Sequence, residues 1–284
     1  MQPRRSDGER VAALPAGAVR REVERHRDGA SSRVADALAE EVPIAFVYNG
    51  RPHAVMMATP ADLENFAVGF SLTEAIVASA DEVQGVEVVP VLAGIELRIA
   101  IPSARGEVLE DRVRQLTGRT GCGLCGAQTL EAAVRHPPPV DEPAPISEAA
   151  LRRALSDLKA RQTINVATGA THAAAWASVD GAIRLVFEDV GRHNALDKLV
   201  GAMLRERMNV HDGFLLITSR ASYEMVMKAA TAGIGILAAI SAPTALAMSL
   251  AQETNLTLIG FARTQGYSLY AHPRRLHTGT ATTG

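Results

Sequence analysis

Hydrophobic and polar positions change period along the chain, and those changes divide it. Two apolar runs, Ile44-Ala45-Phe46-Val47-Tyr48 and His53-Ala54-Val55-Met56-Met57, flank Asn49-Gly50. Asn-Gly accepts the positive φ values of a two-residue turn, so the runs predict a β-hairpin. Thr59-Pro60-Ala61-Asp62 then reads as a helix start. Thr59 would be its cap, Pro60 its first residue, and Asp62 would face the positive end of the helix dipole. Leu63, Phe66, Ala67 and Phe70 recur at helical spacing and predict the buried stripe. Residues 86–91 and 95–101 predict a second strand pair across Ala93-Gly94. A small α+β domain, a roll, is therefore expected over residues 31–116.

Beyond residue 146 the pattern alternates between strands and helices. Ser147 opens a helix to about residue 160, followed by strand 183–187, helix 194–208 and strand 214–218. Helix 222–231, strand 234–240, helix 243–253 and strand 256–261 continue the series. Such alternation predicts right-handed βαβ crossovers and a mainly parallel sheet with helices on both faces, an α/β domain over 147–277. Between the two lies a connecting segment, 117–146, rich in Gly and Thr and then in Pro. Residues 1–30 carry Arg, Glu, Asp and Gly without an apolar period and read as a mobile arm, and 278–284 read as a tail. The uncharged stretch 229–251 is long enough to span a bilayer, but it is mostly Ala and is broken by Gly233, Gly235, Ser241, Pro243 and Thr244. A helix end, a buried strand and a new helix account for it, and no membrane span is expected.

Composition adds two constraints. Lys+Arg 29 against Asp+Glu 31, over 284 residues, is too balanced for a protein whose main task is to neutralise a nucleic-acid backbone. No apolar run follows the charged N-terminus, so a cytoplasmic, reducing location is expected. In that setting two cysteines are conspicuous: Cys122 and Cys125, in Gly121-Cys122-Gly123-Leu124-Cys125-Gly126. Spacing alone does not choose their chemistry. Zinc needs two further ligands, yet there is no second Cys-x-x-Cys and no close pair among the eight histidines. A dithiol redox site would sit at a helix start after a strand, whereas glycines flank and separate these thiols. Sulfur transfer fits the setting: a thiolate accepts a sulfane sulfur as a persulfide, the second thiol resolves or protects it, and the glycines reduce bulk. Arg119 and backbone N–H groups would lower the thiol pKa.

Polar residues also collect at predicted strand ends. His172 follows a Thr-Gly-Ala-Thr turn, a candidate anion nest or equally a turn that joins two strands with His172 simply packed. Glu188, Asp189, Arg192 and His193 follow one strand and Ser219-Arg220 another, and the alternative for the first group is helix capping and salt bridging. A single ligand crevice along that rim is the economical reading. Met203, Met208, Met225 and Met227 read as core filler.

Five strings then carry a resemblance over roughly residues 35–276: Gly121–Gly126; Thr168-Gly169-Ala170-Thr171-His172-Ala173-Ala174; Glu188-Asp189-Val190-Gly191-Arg192-His193-Asn194-Ala195-Leu196-Asp197-Lys198; Thr218-Ser219-Arg220-Ala221-Ser222-Tyr223-Glu224-Met225-Val226; and Gly260-Phe261-Ala262-Arg263. With these the chain resembles the FdhD/NarQ family, the formate dehydrogenase accessory sulfurtransferases. The resemblance implies a sulfurtransferase that accepts sulfur from a cysteine desulfurase as a persulfide and passes it to the molybdenum of bis-molybdopterin guanine dinucleotide, a bound substrate, for formate dehydrogenase. A non-catalytic cofactor chaperone is the alternative. By position Cys122 would bear the persulfide and Cys125 would be its relay partner. Phe261, Ala262, Arg263, Thr264, Gln265 and Gly266 would contact the pterin dinucleotide, with His172, His193, Ser219 and Arg220 on the same crevice. A homodimer and a cytidine-deaminase-like α/β layer are implied as well. Deaminase chemistry is not, because the sequence lacks a His-x-Glu and a Pro-Cys-x-x-Cys, and no resident metal is expected.

Overall fold

A computed structural model describes residues 13–109 and 135–277. Its first element corrects the reading of an N-terminal arm. Strand β1 (Ala18–Arg27) pairs antiparallel with β2 (Ala30–Ala39) along its whole length. Asp28 and Gly29, both at positive φ, make the turn, and Arg25 Nη2 pairs with Asp36 Oδ2 at 3.0 Å across the strands. The charged composition hid a hairpin whose Asp-Gly turn is as explicit as Asn49-Gly50.

Strands β3 (Val42–Tyr48) and β4 (Arg51–Ala58) form the expected hairpin, with Asn49 at φ 48° and Gly50 at φ 81°. Helix α1 (Leu63–Thr73) and the antiparallel pair β5 (Gly85–Val91) and β6 (Gly94–Ala100) follow. Strand β6 inserts parallel to β3, so the sheet runs β4-β3-β6-β5, with α1 on one face. Helix α1 starts later than its sequence suggests. Asp62, at φ 56°, precedes it without a side-chain cap, because Thr59 is fully buried and bonded elsewhere, as described below.

The second half is a six-stranded sheet, in the order β13-β12-β11-β10-β8-β9. Along the chain come β7 (Ile146–Ser147), α2 (Glu148–Arg161), α3 (Thr163–Thr168), β8 (His172–Ser178), β9 (Ile183–Asp189) and α4 (Arg192–Arg205). Next are β10 (Gly213–Ile217), α5 (Tyr223–Thr231), β11 (Ile236–Ala239), α6 (Ala245–Glu253), β12 (Thr257–Arg263), β13 (Gly266–Ala271) and β14 (Leu276–His277). Ser147 caps α2 as its position suggests, accepting the Ala150 N–H at 3.1 Å. The sheet is mixed rather than mainly parallel. Only β10–β11 and β11–β12 pair in parallel, while β8, β9 and β13 enter antiparallel. The sequence reading passed over β8 and β13; β8 is an alanine run of low strand propensity, held because both its neighbours pair with it. Among the described residues no helix is long and apolar enough to cross a membrane.

Strand β10 shows how the layers form. Leu215 and Ile217 face the helices α4 and α5, and Phe214 and Leu216 face α2, so every position is buried and the run is continuously apolar. The α4 side is one core shared with the N-terminal sheet, in which Phe46, Phe66 and Phe70 join Leu196 and Leu199. Helices α1 and α4 cross at Gly69 and Gly201. A methyl on Gly69 would lie 1.7 Å from the Asp197 carbonyl oxygen, and one on Gly201 1.8 Å from that of Asn65. Gly201→Ala is therefore expected to cost about 1–3 kcal/mol, seen as a lower urea midpoint at unchanged slope.

Candidate functional site

The register of the large sheet brings distant polar segments to one edge. His172 opens β8 opposite Asp189, the last residue of β9. Thr218 links to β8 through its N–H to Ala173 O (3.0 Å) and by accepting the Ala173 N–H (2.9 Å). Ile240 N–H bonds Ile217 O at 2.9 Å, Ala221 N–H bonds Ala242 O at 3.2 Å, and Phe261 N–H bonds Ser241 O at 3.1 Å. The segments after β9, β10, β11 and β12 and the start of β8 thus line one rim, the end of an α/β sheet where ligands bind.

Two carboxylates of the rim string turn inward. Glu188 accepts the N–H groups of Ile164 (2.8 Å) and Asn165 (2.7 Å) and the Thr171 hydroxyl (2.9 Å), capping α3. Asp189 receives Lys198 Nζ at 2.7 Å, Thr59 N–H at 3.0 Å, Gly191 N–H at 2.8 Å and Asn194 Nδ2 at 2.9 Å. Thr59 completes this cluster, its carbonyl accepting Lys198 Nζ (2.9 Å) and its hydroxyl the Val190 N–H (3.2 Å). For these two carboxylates, capping and salt bridging is the role the geometry gives.

Arg192 and His193 remain at the rim. His193 Nε2 lies 2.8 Å from Glu224 Oε2, an ion-pair contact rather than an aligned hydrogen bond, and Arg192 Nη2 lies 4.0 Å from the same oxygen. Burial, aided by Arg192, holds both His172 and His193 below the usual histidine range; Glu224 opposes this at His193. Arg192 Nε and Ser222 Oγ are buried and, among the described residues, lack a hydrogen-bond partner.

The other predicted residues divide. Ser219 is buried and its hydroxyl donates to Arg220 O at 3.1 Å, so it shapes its own loop; the Arg220 side chain is exposed. Phe261 is 45% exposed at φ 49°, an uncommon conformation for an aromatic residue and one that presents its ring to solvent. Ala262 is fully buried among the residues facing α2, so only its backbone reaches the rim. Arg263, Thr264 and Gln265 are exposed at the β12–β13 turn, which Gly266 closes opposite Arg263. Arg152 of α2 donates to the Thr264 carbonyl and braces that turn. Cys122, Cys125, Arg119 and the tail 278–284 lie outside the described residues.

A second buried cluster went unread. Lys228 of α5 reaches Asp197 Oδ2 (2.9 Å), Thr73 Oγ1 (2.9 Å) and Glu74 Oε1 (2.8 Å). Glu74 Oε2 takes Arg135 Nη2 at 2.7 Å, and Arg135 Nη1 donates to Thr73 O at 3.3 Å. Tyr223 OH donates to the Arg135 carbonyl at 2.5 Å. Burial would raise the Glu74 carboxyl, but Lys228 and Arg135 outweigh it and hold the group below its ordinary value. The sequence signal was weak: Asp197 and Lys228 are charged residues that fall among apolar neighbours in their helices.

A mixed α/β sheet with a polar rim, joined to a small α+β unit through a shared core, is the class of protein that fold and site define. The FdhD/NarQ family model matches residues 39–277, and the chain belongs to that family. Its relatives include the sulfur carrier protein FdhD of Xanthomonas euvesicatoria pv. vesicatoria strain 85-10, 56% identical over 93% of this chain and 94% of the relative. The protein of that name from Xanthomonas campestris pv. campestris strain B100 is 54% identical over 96% and 98%. The fold matches a crystal structure from Desulfotalea psychrophila, of a protein assigned as a formate dehydrogenase accessory protein. The TM-score is 0.74 at 21% identity, covering 92% of this chain and all of that one.

Proposed function

We propose that this protein is a cytoplasmic sulfur carrier and sulfurtransferase acting, as a homodimer, between a cysteine desulfurase and formate dehydrogenase. The observation that carries the reading is the convergence of four family strings, scattered from Thr168 to Arg263 in sequence, on one rim. In loading, the Cys122 thiolate attacks the outer sulfur of the donor's persulfide, that S–S bond breaks, and the donor cysteine leaves as a thiolate. Cys122 then carries Cys–S–SH. In delivery, the Cys125 thiolate attacks Cys122 Sγ, forming a Cys122–Cys125 disulfide and releasing hydrosulfide. The two thiols supply the electrons that reduce the sulfane sulfur. Hydrosulfide, with one proton, replaces an oxygen ligand of the molybdenum in the bound bis-molybdopterin guanine dinucleotide, and water leaves. A dithiol reductant resets the pair.

On the rim, Arg263 and Arg220 would pair with the diphosphate, the Phe261 ring would stack on a flat base, and Gly266 would let the backbone approach the ligand. Thr264 and Gln265 offer polar atoms beside them. The test is intact-mass analysis after incubation with a desulfurase and cysteine: a one-sulfur adduct on Cys122 supports the reading. Its absence, with sulfuration of the dehydrogenase still proceeding, leaves a cofactor chaperone.

The histidines give the rim a pH signature. With pKa values held low, His172 and His193 are neutral at pH 7, and lowering the pH charges them beside a diphosphate. Binding of GDP, the guanosine diphosphate portion of the ligand, is expected to tighten about tenfold per imidazolium that engages it as the pH falls below 7. Calorimetry would show this, and His193→Gln should flatten the profile. The fold moves oppositely: the unfolded chain takes up these protons first, near pH 6.5, so stability declines as pH drops below it.

A further inference from the structure

We infer that Arg192, His193 and Ser222 form a seat for one phosphoryl group where α4 and α5 meet the rim, and that Glu224 is its displaceable cover. The inference rests on the reading of the rim as a nucleotide site and names the group that keeps it closed. Arg192 and His193 are the first two residues of α4; Ser222 precedes α5, and Glu224 is the second residue of α5. Glu224 Oε2 reaches back to α4, 2.8 Å from His193 Nε2 and 4.0 Å from Arg192 Nη2.

One carboxylate oxygen serves these groups poorly. His193 Nε2 is in contact but misaligned, and the Arg192 contact is at the limit of an ion pair. Arg192 Nε is buried and, among the described residues, has no hydrogen-bond partner. Ser222 is the clearest sign. A serine placed just before a helix ordinarily turns its hydroxyl to accept an N–H of the first turn. Ser222 makes no such bond, and its hydroxyl is buried without a partner among the described residues. Buried polar atoms are nearly always satisfied, so unmet groups on two adjoining segments of a rim mark the place of a ligand.

Charge and shape define its class. Around His193, Lys228 and Glu74 act with opposite signs, and Arg192 opposes Glu224. With Glu224 swung away, the guanidinium leaves the seat positive, and guanidinium, imidazole and hydroxyl all offer polar atoms. A tetrahedral phosphoryl group has an oxygen for each of the three, where a carboxylate has only two. Glu224 can leave, because its side chain is 55% exposed and water can take up its charge. A ligand must first displace it, so the apparent affinity is the intrinsic affinity reduced by the open fraction. The cover is thus a repulsive element. A small anion gains only the seat, whereas a nucleotide diphosphate held also by Arg263 and Phe261 gains enough to open it. Glu224 is a specificity-determining residue.

The test titrates GDP, guanosine and inorganic phosphate into the full-length protein by calorimetry. Glu224→Gln keeps the side chain's size and removes its charge, and GDP should then bind about tenfold tighter, the gain for a seat otherwise open in about one molecule in ten. Guanosine should bind as before. Arg192→Gln should weaken GDP, and in its background the gain from Glu224→Gln should vanish. Ser222→Ala should weaken GDP at an unchanged urea midpoint, because no cap bond is lost. Glu206→Gln removes an exposed charge at the far end of α4, about 21 Å away, and should change nothing. GDP binding that Glu224→Gln leaves unchanged, an equal gain in the Arg192→Gln background or from Glu206→Gln, or a gain with guanosine would each overturn the inference. A gain with GDP alone assigns the seat to a nucleotide phosphoryl group, and a gain with inorganic phosphate as well assigns it to any phosphate. If GDP binds neither the natural sequence nor any variant, the nucleotide reading of the rim fails instead; inorganic phosphate then decides the seat, a gain keeping it and none overturning it.

Discussion

Replacing Cys122 with alanine is expected to abolish both the one-sulfur adduct and the activation of formate dehydrogenase. The effect should be complete because a persulfide needs a thiolate and the chain holds one other cysteine. Cys125→Ala is the informative companion. Loading needs only Cys122, so the adduct should form and persist, but hydrosulfide release should stall because no internal thiol supplies the two electrons. Added dithiol should restore turnover in Cys125→Ala and leave Cys122→Ala inactive. Intact mass and formate oxidation, measured on the same samples, separate the two. If Cys122→Ala still activates the dehydrogenase, the carrier reading fails.

The largest effect on stability is expected at Asp189. Its carboxylate and the Lys198 ammonium are wholly buried at 2.7 Å, and the carboxylate also satisfies the Thr59 and Gly191 N–H groups. Asp189→Ala would leave a buried ammonium without its counter-charge and the Thr59 and Gly191 N–H groups without an acceptor, a loss of about 3–5 kcal/mol. Urea denaturation should show it, and an unchanged midpoint would contradict the assignment. Replacing Lys198 with methionine as well should recover only part of the loss. The two N–H groups still lack an acceptor, and Thr59 O loses its donor. Because Thr59 directly follows β4 of the N-terminal sheet and Asp189 ends β9 of the large one, this cluster joins the two halves polar group to polar group, where the apolar core joins them elsewhere.

How legible the fold was depended on whether local chemistry decided the outcome. Asn49-Gly50 and Ser147 act within a few residues, and both were read correctly. Asp28-Gly29 carried the same turn signal, but the charged residues around it suggested an arm; on a two-stranded hairpin open to solvent, charges belong on the strands. Thr59 has the residue type and position of a helix cap, yet its bonds go to residues about 130 positions away, which no local pattern encodes. Strand β8 has alanines where a strand usually carries branched residues, and its place is set by partners on either side. At the site, the rim could be anticipated because polar residues follow apolar strands. Which of them face outward could not: Glu188 and Asp189 have the same texture as Arg192 and His193 and point the other way.

The helix crossing at Gly69 and Gly201 has a consequence for second-site repair. Crowding against a side chain can be relieved by trimming that neighbour. Here a new methyl on either glycine would meet the main chain, the carbonyls of Asp197 and Asn65, and a carbonyl cannot be made smaller. Suppressors of Gly201→Ala should therefore be absent from the contact itself. They should arise as stabilising changes elsewhere, while the helix separation that carries Thr73 to Asp197 keeps a single permitted value.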